Sequence, residues 1–79
     1  MTDALSDLVN DSMIDIEVNG ETRQVSTWTT LLELVEQLDL QGQSLALAVN
    51  RRVVPRQVWR QHVVLAQDKI EIVRAIGGG

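Results

Sequence analysis

Residues 77–79 are Gly77, Gly78 and Gly79, and they follow Ile76 directly. Glycine loses more conformational freedom on ordering than any other residue. A run of it beside a patterned apolar stretch is either idle or a working part. The chemistry such a run can do sits on one group, the carboxylate of Gly79. An enzyme that activates a carboxyl end must thread that end toward bound ATP. A backbone without Cβ atoms fits a narrow slot and reaches dihedrals closed to other residues. Glycine is also achiral, so an acyl group that enolises while activated returns undamaged. On this reading Gly79 is joined to AMP with loss of pyrophosphate, and a sulfur nucleophile then leaves a thiocarboxylate. Gly77 and Gly78 thread the slot. The chain is then a protein substrate and not an enzyme. It binds no cofactor itself, and ATP and Mg²⁺ belong to its partner.

No other residues form a reactive constellation. There is no cysteine, which removes disulfides, thiolate metal sites and a cysteine nucleophile. His62 is the single histidine and has no second ligand or nucleophile in its pattern, so it reads as a surface residue. The scattered acids lack metal-ligand spacing. Arg51, Arg52, Arg56 and Arg60 make a modest basic cluster, read as a solvated face. Trp59 and Pro55 read as packing that closes one end of a core.

The elements that must present the glycines come from a chain of 79 residues, enough for one domain with one small core. Its apolar content is mostly aliphatic: there is no Phe or Tyr, and the aromatics are Trp28 and Trp59. A net charge of -4 repels phosphate backbones and argues against nucleic acid. No stretch has the apolar length of a membrane span, and the acidic start does not read as a signal peptide. A cytoplasmic protein is expected.

Residues 1–12 carry Asp3, Asp7 and Asp11 and no base. They read as a disordered leader, with Ala4, Leu5, Leu8 and Val9 at helical spacing. Residues 13–76 are expected to form the domain, and 77–79 a flexible tail. In "MIDIEV" Ile14, Ile16 and Val18 alternate with acids, the pattern of a half-buried strand. Asn19-Gly20 predicts a type I′ hairpin into a second strand that ends near Ser26, with Arg23 and Val25 on one face. Leu31, Leu34, Val35 and Leu38 predict an amphipathic helix. Thr30 and Glu33 fit a capping box at its start, with Trp28 as a hydrophobic staple, and "QGQ" at 41–43 as its stop. Leu45, Leu47 and Val49 alternate with Ala46 and Ala48. "RVV" at 52–54 is a short strand cut by Pro55, and "PRQVW" fits a single helical turn. "KIEIVRA" is the last strand, with Ile70 and Ile72 inward and Val73 outward.

Strand, hairpin, strand, helix, strand, short strand, turn, strand is the order of a β-grasp, the ubiquitin-like α+β architecture. One helix lies across a mixed sheet whose first and last strands are parallel neighbours. Ala46, Ala48 and Val73 fall on the sheet face away from the helix, a candidate docking patch. Arg74 lies between that patch and the tail and is counted with it as a docking residue, expected to pair with an acidic group on the activating enzyme.

The residues "VNGE" at 18–21, "TLLELVEQLDL" at 30–40, "LALAVN" at 45–50 and "VVPRQVW" at 53–59, with the glycine end, resemble the ThiS family of thiamine-biosynthesis sulfur carriers. The resemblance covers nearly all of 13–79. It implies a β-grasp fold and an E1-like adenylyltransferase that receives Gly78-Gly79. It also implies a sulfur donor and transfer of the thiocarboxylate sulfur of Gly79 to thiazole synthase. The chain departs from the family in three places. Gln67 stands where a glycine is common before the last strand, the middle turn "NRR" is more basic, and the leader is extra. Three other readings stay open on the residues alone: a sulfur carrier for molybdopterin synthesis, a ubiquitin-like modifier of target lysines, and a β-grasp interaction module with an idle tail.

Overall fold

The structure, a computed structural model, describes residues 13–74. The leader, Ala75, Ile76 and the three glycines lie outside the described residues. Strands β1 (Met13–Val18) and β2 (Glu21–Ser26) pair antiparallel, from Met13 opposite Ser26 to Val18 opposite Glu21. Asn19 and Gly20 close the hairpin at φ 51° and 88°, the left-handed pair that a type I′ turn requires. Helix α1 (Leu31–Gln37) follows, then β3 (Leu45–Val49) and β4 (Arg52–Val54), a 3-10 turn at Arg56–Val58, and β5 (Lys69–Arg74). The sheet order is β2-β1-β5-β3-β4. β1 and β5 are parallel and every other pair is antiparallel. This is the expected β-grasp, with the first and last strands adjacent at the centre.

Helix α1 is only seven residues long, too short to persist alone, so it depends on packing of its apolar face and on closure of its two ends. Its leading N–H groups have no partner inside the helix. Each finds one outside. Leu31 N–H donates to the His62 carbonyl (2.9 Å), Leu32 N–H to the Trp59 carbonyl (3.2 Å), and Glu33 N–H to Thr30 Oγ1 (3.1 Å). Glu33 in turn accepts from Thr30 N–H at 2.9 Å, which completes the predicted capping box. The helix stops earlier than "QGQ". Asp39 takes a left-handed φ of 61°, its N–H donates to the Glu36 carbonyl, and Leu40 N–H donates to the Val35 carbonyl. That pair of bonds is a Schellman motif, with Asp39 where glycine is usual. Among the described residues no helix is long and apolar enough to cross a membrane.

The core lies between α1 and one face of the sheet. Leu31, Leu34 and Val35 pack with Ile16, Val25, Leu47, Val49, Val54 and Ile70. Trp59 closes one end, 1% exposed, with its Nε1–H donating to the Val54 carbonyl at 2.8 Å. Pro55 does not share that role. It is exposed, and it starts the 3-10 turn by accepting from Val58 N–H. His62 is half-buried rather than a surface residue, and its carbonyl accepts from the helix start.

Trp28 is not a staple. Its φ is 75° and it is 76% exposed. The cause is the tight turn Ser26–Thr29, in which Thr29 N–H and Thr29 Oγ1–H both donate to the Ser26 carbonyl. The turn needs a left-handed residue before Thr29, and that conformation throws the indole outward.

Candidate functional site: the open sheet face and the exit of the last strand

The strand pairings decide which side chains share the open face. Ala46 lies opposite Val73 across β3 and β5. Ala48 lies opposite Glu71 on one side and Val53 on the other. Ala46, Ala48, Val53 and Val73 therefore lie on one face, away from α1. Val73 is 61% exposed and Val53 76%. The candidate patch is thus assembled by the sheet, and it gains Val53, which the sequence reading left out. The signal was available: in an alternating strand the residue between Arg52 and the buried Val54 must face the other way.

Arg74 is separated from this patch. It pairs with Leu45, which packs against the core, so its position belongs to the helix side of the sheet. There it lines a cleft with Arg23, Leu38, Leu40, Leu45 and Ile72. The exit of β5 therefore has two unlike sides, an apolar sheet face and a cleft that carries two arginines. Gly77, Gly78 and Gly79 lie outside the described residues.

The arginine cluster does not act as a unit. Arg56 is engaged at home: its Nη2 donates to the Gln43 carbonyl at 2.7 Å, and its guanidinium lies 4.7 Å from the centre of the Trp59 ring. Arg51 is held in a turn at φ 73°, after Asn50 at 52°. Among the described residues no group of three or more His, Asp or Glu side chains is placed to hold a metal ion.

Two asparagines that read from sequence only as turn residues hold β5. Asn50 Oδ1 accepts from Lys69 N–H (3.0 Å), while Asn50 Nδ2 donates to Asp68 Oδ1 (3.0 Å). Asp68 is 8% exposed, and its other oxygen accepts from Leu65 N–H at 2.8 Å. Between Leu65 and Asp68 stands Gln67, at φ 72°. The turn before the last strand thus has the left-handed backbone that glycine adopts most readily, and here glutamine adopts it. On the other side of β5, Asn19 Oδ1 accepts from Ile72 N–H (2.9 Å) and Asn19 Nδ2 donates to the Ile72 carbonyl (3.3 Å).

A five-stranded β-grasp sheet, with its last strand central and a glycine run following it in the chain, defines a small protein of the ubiquitin-like class. The sequence profile of the ThiS family matches residues 8–79, and the chain belongs to that family. It is similar to the sulfur carrier protein ThiS of Escherichia coli, 39% identical over 66 residues that cover 84% of this chain and all of the relative. A segment of the thiazole synthase of Paramagnetospirillum magneticum is 37% identical over 78% of this chain, although the match spans only 19% of that longer protein. Among solved structures, the thiamine biosynthesis protein ThiS of Geobacter metallireducens superposes with a TM-score of 0.73 at 25% identity. That superposition covers 84% of this chain and all of the other.

Proposed function

We propose that this chain is a sulfur carrier for thiamine biosynthesis that works through the carboxylate of Gly79. The observation that carries the reading is the family match itself, which runs through Gly79 and includes a sulfur carrier aligned along its whole length. An E1-like adenylyltransferase supplies ATP and Mg²⁺. A carboxylate oxygen of Gly79 attacks the α-phosphorus, pyrophosphate leaves, and a donor of hydrosulfide equivalents displaces AMP from the acyl carbon. The thiocarboxylate that results gives its sulfur to thiazole synthase. A segment like this chain inside a thiazole synthase supports that last partner, since joining two partners in one chain raises their effective concentration. ATP-dependent chemistry of this kind belongs in the cytoplasm.

In this reading the tail is threaded as Gly77-Gly78-Gly79, and Ala46, Ala48 and Val73 dock on the partner. Arg74 contributes a charge from the other side of the sheet. The test is a chain lacking Gly78 and Gly79, incubated with the adenylyltransferase and ATP. The expected result is an unchanged far-UV circular dichroism spectrum with no pyrophosphate release. Release at the intact rate would overturn the reading. So would the intact protein remaining free of any sulfur-for-oxygen mass increase at Gly79 in cells starved of thiamine.

A further inference from the structure

The last described residues of β5 outrun their neighbour. β1 ends at Val18, which pairs with Ile70, whereas β5 continues to Arg74. In a parallel ladder every second residue of one strand bonds to the next strand through both its N–H and its carbonyl. That rung is made at Ile70, whose carbonyl accepts from Asn19 N–H at 2.9 Å. The next rung belongs to Ile72. The main chain that would supply it has already turned away at Asn19-Gly20. The Asn19 carboxamide takes its place, accepting from Ile72 N–H and donating to the Ile72 carbonyl across 53 positions of sequence. A side-chain amide carries the same acceptor and donor as a peptide group, so one residue extends the ladder by one rung.

We infer that Asn19 is a positioning residue for the reactive end, one that fixes the heading of β5 at its last rung with the β1 side. The inference rests on the proposed adenylation of Gly79. Five residues of the chain follow Arg74, three of them glycine. Those residues start from wherever the end of β5 points, and any freedom of the backbone there must be lost on docking. On its β3 side the strand stays paired up to Arg74, opposite Leu45. Asn19 supplies the restraint on the other side. Asn19 lines the same cleft as Arg23 and Arg74, but both bonds of its carboxamide go to the Ile72 main chain, so its effect runs through the backbone there.

Asn19→Gly tests this without disturbing the hairpin, because glycine adopts the left-handed φ at that position freely. The first readout is amide hydrogen exchange. Exchange at Ile72 N–H is expected to speed up by about tenfold, the worth of one hydrogen bond, while Ile70 N–H keeps its protection. The second is steady-state adenylation at a temperature well below unfolding. KM for the carrier is expected to rise by about threefold to tenfold with kcat retained, and Asn19→Asp, which keeps only the acceptor, is expected to fall between the two. If Ile72 loses protection while KM stays at the wild-type value, the asparagine is merely structural and the inference fails. If Ile72 keeps its protection in Asn19→Gly, the clamp itself is absent and the inference fails. Absence of adenylation in the wild-type chain would instead overturn the proposed function, which keeps the two failures distinguishable.

Discussion

Trp28 is the residue at which local chemistry and tertiary structure disagree most. A bulky residue at φ 75° is a steric outlier, and its ring, 76% exposed, recovers little by burial. Trp28→Gly removes the clash and gives up mainly solvent-exposed surface. The left-handed conformation costs an ordinary residue roughly 1–2 kcal/mol. Glycine's extra freedom in the unfolded chain offsets about 0.5–1 kcal/mol of the relief. The substitution is therefore expected to stabilise the domain by about 0.5–1 kcal/mol, read as a higher urea midpoint at constant slope. A lower midpoint would mean that the indole makes contacts of real value. The other tryptophan is the opposite case. In Trp59→Phe the Val54 carbonyl loses its partner in a buried place. The expected loss is about 1–3 kcal/mol, visible as a fall in Tm.

At the scale of elements, α1 shows how a seven-residue helix is held. Its apolar stripe buries Leu31, Leu34 and Val35 almost completely, which contributes roughly 1.5–3 kcal/mol for each side chain. Its two ends are closed by different means, a capping box at Thr30 and a Schellman motif around Asp39. Thr30→Ala removes the acceptor for Glu33 N–H and is expected to cost about 1 kcal/mol. The check is equilibrium urea unfolding, and a change near zero would show that water replaces the hydroxyl without penalty. The hairpins use a shared device. In both, asparagine follows valine, turns left-handed, and turns its amide on β5.

For the whole molecule, the sheet separates two duties onto its two faces. One face closes the core under α1, and the other presents Ala46, Ala48, Val53 and Val73 to solvent beside the strand that leads to the glycines. Val73→Glu places a charge in that patch at a position already 61% exposed. Folding stability is expected to change by less than about 0.5 kcal/mol. KM for adenylation or sulfur transfer is expected to rise by about tenfold or more, as for a central interface residue. Unchanged kinetics with both partner enzymes would remove the patch from the docking surface.

The periodicities of Ile14, Ile16 and Val18 and of Leu31, Leu34 and Val35, with Asn19-Gly20 and the pair Thr30 and Glu33, determined the element order and the β-grasp from sequence alone. These signals are local: each lies within a few residues of the backbone it shapes. The chemistry proposed for the glycine run is argued from residue type and lies outside the described residues. What only the tertiary structure decided involves residues distant in sequence. The register of β3 against β5 set Val73 opposite Ala46 and Arg74 opposite Leu45, and that of β3 against β4 set Val53 opposite Ala48. The turn closed on Ser26 sent Trp28 into solvent. The bond from Asn19 to Ile72 exists because β1 ends where β5 does not. No pattern within a single segment encodes such a pairing. It follows from which strands the core brings side by side, and from how far each one runs.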